Sequence, residues 1–529
     1  MKPVQWLLSH DHLLFAVIAL VGALALTRGL VEQPGYTDAF YHFNAAEQVA
    51  RGRGLTDDYL WTYIGADGSL PAPSHLYWMP LTSLTAAAGM MLLNQPGNYA
   101  AAQLPLALMF ALVAILGYWL GAKVGGTRRH AWLAGLLTLF SGYFTRYWGA
   151  TDTFAPYALF GALCLVALGQ GAVALAGGGR RMAAWFALGG ALAGLAHLTR
   201  ADGVLLLMVG WVVVLAPWRS LNTAPLARRL MAAGVLTLAY GVVMLPWAAR
   251  NLAVIGSPLP VGGAQGIWFT EYNDLFNYPP DASARALFSD DLPRLLAGRW
   301  EAFGTNVGTF VGIEGLIVLA PLMLIGLWAR RRDPFLRAFW LYALGLHVVM
   351  TLVFPFPGYR GGLLHSSAAL VPWWAALGIV GLDTAVDWVA RRRRTWHAPT
   401  AKRVFSLALL GFAIWLSLTM GLRGRVTASI PALYDQLAAV LPDDARVMVN
   451  DPAALYYFTG RGGVPLPNET PDVIPTIASQ YDVGYLLLEG RRAMPPSLWS
   501  LYDTLPDFLS PIPLDYPDAR LYAIDPAAR

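Results

Sequence analysis

The stretch GYTDAFYHFNAAEQVARGRG, Gly35 to Gly54, decides the reading of this chain. It follows an apolar run, Leu13–Leu30, and carries Asp38, Tyr41, His42 and Glu47 in a spacing that predicts a short helix. Asp38 and His42 are one turn apart and share a face. An acid and a histidine beside a membrane span are costly to hold there unless they serve chemistry. Each polar group also has a structural reading: Asp38 as the N-cap of the helix, Glu47 with Arg51 as a surface pair spaced i, i+4.

The rest of the sequence places this helix in a membrane protein. Of 529 residues, 56% are hydrophobic and 13% charged, with mean hydropathy +0.48, too apolar for a soluble globule. The single cysteine, Cys164, excludes an internal disulfide framework. The net charge of +5 reads as lysine and arginine held on one membrane side, and no nucleic-acid partner is expected, because no basic stripe carries interleaved aromatics. The first apolar run lacks a small-residue cleavage site and is expected to stay as a span.

Twelve apolar segments compete as spans: Leu13–Leu30, Leu76–Leu93, Ala101–Leu120, Ala131–Phe144, Thr153–Leu175, Met182–Leu198, Gly203–Ala216, Leu230–Trp247, Thr309–Trp328, Phe335–Phe354, Leu363–Leu382 and Val404–Leu422. Lys123/Arg128/Arg129, Arg180/Arg181, Arg219/Arg228/Arg229, Arg330–Arg332 and Arg391–Arg394 fall in every second loop, which assigns those loops to the cytoplasm. With Met1 and Lys2 on the same side, one segment fails to cross. Leu76–Leu93 is the weakest, and it is expected to lie along the outer interface with Tyr77 and Trp78 at headgroup level, leaving about eleven spans. An outside N-terminus with all twelve crossing is the alternative. Residues 1–422 then form the transmembrane domain, with outer loops at 31–100 and 248–308. Residues 423–529 read as a small soluble α/β domain outside, in which Asp451 caps a helix that starts at Pro452.

Unusual chemistry gathers in the arginine-poor loops. TRYWGATDTFAP gives Arg146, Tyr147 and Asp152; AHLTRADG gives His197, Arg200 and Asp202; FPGYRGGLLHSSAA gives Tyr359, Arg360 and His365. One topology puts all of these at the membrane face that holds Asp38 and His42. Singly, each has a bland explanation: an ion pair for Arg200 with Asp202, snorkelling to lipid phosphates for Arg146 and Arg360, a core position for His365. Their joint confinement to one face is what those explanations leave out. A carboxylate there can take the proton of an acceptor hydroxyl, and arginines can hold a phosphate leaving group.

The order of these motifs resembles the GT-C superfamily of polyprenyl-phosphate-sugar-dependent membrane glycosyltransferases, on the branch of protein O-mannosyltransferases and lipid A aminoarabinose transferases. YTDAFYHFNAAEQVARG matches the family acid after the first span, YWGATDTFAP a second acid, LAHLTRADGVLL the threonine–arginine turn, PWAARNLAVIGSPLP the exit toward the long loop, and YRGGLLHSSAALVPWWAALG the late arginine segment. The resemblance implies a GT-C fold at the cell membrane and inverting transfer of one sugar from a polyprenyl-phosphate donor to an extracytoplasmic protein, lipid or glycan. It implies Asp38 as general base, Asp152 to orient the acceptor or the base, and Arg360 with Arg146 or Arg200 at the donor phosphate. Tyr41, His42, Tyr147, His197, Asp202, Tyr359 and His365 are further candidates. The usual Asp-Glu pair is broken here by Ala39. DAFYHF is similar also to the first loop of oligosaccharyltransferase catalytic subunits, whose acids hold a divalent metal, so a metal at Asp38 and Asp152 is a second implication. The WWDYG signature of those subunits is absent, which argues against en-bloc transfer to asparagine. A transporter or lipid flippase is the rival class; it requires broken spans with polar residues at mid-depth.

Overall fold

The computed structural model describes residues 11–525 and 527, apart from 178, 180, 219–223, 290, 291, 394, 492 and 493. Met1, Lys2, Arg180, Arg219 and Arg394 therefore lie outside the described residues. Among the described residues, eight helices are long and apolar enough to cross a membrane, beginning with α1 (Asp11–Leu30). The stretch that opened the sequence reading folds as α2 (Thr37–Ala50), and its Glu47 pairs with Arg51 at 2.6 Å.

Helix α3 (Leu81–Leu92) has 12 residues. That is about 18 Å of helix, short of the roughly 30 Å hydrocarbon core. It packs on α2 and on α4 (Tyr99–Leu120). The end of α1 and the start of α4 meet where the Arg28 guanidinium donates to Ala100 O at 3.0 Å, and Ser83 in the first turn of α3 bonds His42 of α2, which keeps α3 at that end of the bundle. At the opposite end, Asp11 pairs with Arg128 at 2.7 Å and Lys402 with Asp387 at 2.8 Å. Tyr77 and Trp78 differ from expectation. They precede α3 in a turn and pack against Trp61, at 4.9 and 4.2 Å between ring centroids, rather than facing lipid.

Three expected spans are shorter or broken. Ala131–Phe144 is a helix only over Arg128–Leu139, and Gly203–Ala216 only over Val204–Leu215. Thr309–Trp328 is interrupted: the helical path ends at Glu314, Leu316 and Ile317 take positive φ of 44° and 63°, and helix resumes over Ala320–Arg330. Glu314 is buried at this break, 3.1 Å from His347 Nε2, and accepts from Trp374 Nε1 at 2.9 Å. Gly315 after the acid and Pro321 at the restart fit such a break.

The region 248–308 is largely helical at its two ends, where Leu226–Ile255 runs into it and Leu292–Thr309 leaves it. Beyond Arg423 lies a five-stranded sheet of β1 (Val447–Val449), β2 (Gly463–Pro465), β3 (Tyr485–Glu489), β4 (Leu509–Ile512) and β5 (Ala519–Ile524), in the order β2-β1-β3-β5-β4. The first three are mutually parallel and β5 runs antiparallel to β3 and β4. Strands β2 and β4 form against their sequence signal: Gly463–Pro465 carries both a glycine and a proline, and Leu509–Ile512 has Pro511 in its middle. Helix α6 (Pro452–Thr459) begins as expected, with Asp451 Oδ1 accepting from Ala454 N at 3.0 Å. It docks on α2, where Asn44 donates to Ala453 O at 2.9 Å and Gln48 to the Tyr456 hydroxyl at 2.9 Å.

Candidate active site

A cavity of about 760 Å³ lies between the helical bundle and the sheet. The start of α2 forms one wall. Its N-cap is Tyr36, which makes no side-chain capping bond, so Asp38 sits inside the first turn and is not the cap. The Asp38 side chain is 26% exposed and faces the cavity. Asp152 lies behind it at 1% exposure. Its carboxylate accepts from the Tyr36 hydroxyl at 2.7 Å and from the backbone N–H of Thr153.

His365, on the short helix α5 (Leu363–Ser367), closes the group. Its Nε2 is 3.0 Å from Asp152 Oδ2 and 3.7 Å from Asp38 Oδ2. Its Nδ1 is 2.8 Å from Gly361 O, which can only accept, so Nδ1 carries a hydrogen. The ring is stacked on Phe154 with centroids 4.2 Å apart. Burial first, then the field of Asp152, pushes the Asp38 carboxyl up to about 6. Burial also opposes ionisation of Asp152, but the imidazole of His365, with smaller help from Tyr36, holds that carboxyl below the usual range. The two adjacent acids therefore shift in opposite directions, Asp152 toward the anion and Asp38 toward the protonated form.

Two arginines line the cavity together with Asp38. Arg146 lies over the rings of Tyr143 and Tyr147, 4.7 and 4.5 Å from their centroids, and donates to both hydroxyls. Arg360 lies over Tyr272 at 4.4 Å. Each is held by aromatic faces, which leaves donor positions for an anion. The third expected phosphate ligand does not join them. Arg200 pairs with Asp202 at 3.2 Å, donates to Ser366 Oγ at 3.0 Å and does not line the cavity. The acid two residues along neutralises it, and the ion-pair reading applies.

The other candidates are spread around the site. Tyr147 lines the cavity. Tyr41 donates to Asp57 at 2.8 Å, and His42 is fully buried with Nδ1 2.8 Å from Ser83 Oγ; neither reaches the cavity, because the face of α2 they occupy packs on the first loop and α3. His197 bonds the Tyr240 hydroxyl, and Tyr359 packs against Phe356. The structure adds residues the motifs did not single out: Tyr36 and Tyr143, Tyr272 under Arg360, and Thr37, whose hydroxyl donates to Asp451 Oδ2 at 2.6 Å. Only an aromatic-rich outer loop hinted at them.

No family model and no curated protein matches this sequence. Solved structures do. The oligosaccharyltransferase of Archaeoglobus fulgidus, tethered to an acceptor peptide containing the NVT sequon, is 15% identical with TM-score 0.57, over 92% of this chain and 70% of that one. ArnT of Cupriavidus metallidurans, bound to undecaprenyl phosphate, is 15% identical with TM-score 0.55, over 97% of each chain. The fold is that of the GT-C membrane glycosyltransferases. The archaeal GT-C structure also exists as a complex with Zn and sulfate, matching at 15% identity, TM-score 0.56, over 89% of this chain and 67% of that one.

The three donor groups of Asp38, Asp152 and His365 lie within 4.8 Å of one another. Because His365 Nδ1 bears a hydrogen, a neutral ring directs the Nε2 lone pair toward two acceptor-only carboxylates. Either a proton on Nε2 or a cation resolves that convergence. The donor set therefore fits a divalent ion.

Proposed function

We propose that this protein is a GT-C glycosyltransferase that moves one sugar, with inversion, from a polyprenyl-phosphate donor to an acceptor hydroxyl on the extracytoplasmic face. The observation that carries the reading is the Asp38 carboxylate opening onto a cavity whose wall also bears Arg146 and Arg360. The acceptor oxygen attacks the anomeric carbon as its proton passes to Asp38. The bond to the phosphate oxygen breaks, and its electron pair leaves with the polyprenyl phosphate. The two guanidiniums stabilise that leaving charge. Asp152, anchored by Tyr36 and Thr153, fixes His365, and His365 beside Asp38 offsets its negative charge when protonated. A divalent ion held by Asp38, Asp152 and His365 would supply Lewis-acid stabilisation of the developing negative charge.

Proteoliposomes given radiolabelled polyprenyl-phosphate sugars test the reading. Release of polyprenyl phosphate together with label in an acceptor is expected; intact donor under all sugars and acceptors would overturn it. A chelator should lower the rate at least tenfold, with recovery on adding Mn²⁺, Mg²⁺ or Zn²⁺, and His365→Ala should remove that recovery. Full activity in chelator would leave the trio a proton-sharing cluster without metal.

The orientation belongs to the same proposal. A cysteine at Lys123 should label from the cytoplasmic side only, and one at Gln95, in the exposed turn after α3, from outside only. The reverse pattern would put the cavity in the cytoplasm.

A further inference from the structure

We infer that the acceptor is the end of a neutral carbohydrate chain, bound between the aromatic wall of the cavity and two free carboxamides. The inference rests on the transfer reading above and names the acceptor of that same site. Every charged residue lining the cavity — Asp38, Arg146, Arg360 and His365 — belongs to the helical bundle. The rest of the lining is uncharged among the described residues. It presents Trp61 and Phe276 together with Asn273, Asn450 and Met494, while Tyr272 lies under Arg360. Trp61 is fixed edge-on to Phe276 at 5.5 Å and packed on Trp78 at 4.2 Å, so its ring is a rigid surface. Among the described residues neither Asn273 nor Asn450 has a side-chain hydrogen-bond partner, so both amides are free to donate and accept. Flat apolar faces next to amides that donate and accept suit the C–H faces and hydroxyls of a sugar. They carry no charge to pair with a charged headgroup.

A peptide acceptor would find its usual docking mode closed. The free edge of the sheet at the cavity is β2, and an extended peptide is ordinarily added to such an edge through main-chain bonds. Here the first outer loop already occupies it. Leu60 N donates to Gly463 O at 2.9 Å, the Tyr63 hydroxyl donates to Pro465 O, and Pro465 has no N–H to offer.

The test follows label from polyprenyl-phosphate sugars into the neutral-glycan, protein and lipid fractions of membranes carrying the protein, with unlabelled neutral oligosaccharides of pentose and hexose as competitors. Label in protease-resistant glycan, competed by an oligosaccharide, is the expected result. Asn450→Ala, at an exposed position that leaves the fold intact, should raise the acceptor KM about fivefold at unchanged donor KM. Trp61→Ala should raise it about tenfold. Label in protease-sensitive material or in a charged lipid overturns the inference, as does an unchanged acceptor KM in Asn450→Ala. Release of polyprenyl phosphate is read separately, so a wrong acceptor class is distinguishable from a protein that transfers no sugar.

Discussion

Asp38→Asn should lower sugar transfer about 10²–10⁴-fold, the usual value of a positioned general base, or about 3–5 kcal/mol of barrier. The protein should still fold and insert. Asp38 lies inside the first turn rather than at the N-cap, so the substitution removes charge and basicity and weakens only its 3.7 Å approach to His365. Asparagine is nearly isosteric and keeps an oxygen toward His365. The check is the single-turnover rate at saturating donor and acceptor, beside a melting curve. A rate within a few fold of the parent would dismiss Asp38 as base and move attention to Asp152, whose own replacement should cost stability as well, because its carboxylate holds Tyr36 and Thr153 in the interior.

Arg360→Ala should weaken donor use by about 10- to 100-fold, as expected when a hydrogen bond to a charged group worth about 1.5–3 kcal/mol is lost. The guanidinium sits over Tyr272 in the cavity wall, where a flat cation can stack and still direct its edge toward a phosphate. Arg360→Lys keeps the charge and loses both the stacking and the fork, so it should recover only part of the donor affinity. The measurement is rate against donor concentration at saturating acceptor. A shift confined to the acceptor dependence would remove Arg360 from the phosphate site. Arg146→Ala is the companion experiment; its clamp by two tyrosines predicts a defect that Arg146→Lys repairs poorly.

Much of the architecture was legible because hydropathy and arginine placement report directly on a bilayer. The long apolar segments and the helix at Thr37–Ala50 follow from spacing alone. What stayed hidden depends on tertiary partners. The break after Glu314 could not be seen while His347 and Trp374 were distant in sequence, since only their approach makes a buried acid tolerable there. It also gives the bundle some of the polar, interrupted character expected of the rival transporter class. Trp78 resembled a membrane-interface anchor because periodicity does not reveal that Trp61 packs on it. In the site, Asp38, Asp152, Arg146, Arg360 and His365 were all among the candidates, but spacing could not separate them from Arg200 or His42. The discriminating facts were a neighbouring carboxylate for Arg200 and a serine across the helix packing for His42.

The bond from Thr37 to Asp451 makes the reaction centre a seam. One oxygen of Asp451 starts a helix of the soluble part, and the other grips the residue next to the proposed base. This joint reaches closer to the proposed base than the other contacts between the two parts, such as Asn44 with Ala453 and Leu60 with Gly463. A chimera that exchanges the soluble part between two such enzymes would inherit misregistered chemistry along with a new acceptor preference, unless the threonine–aspartate joint came with it.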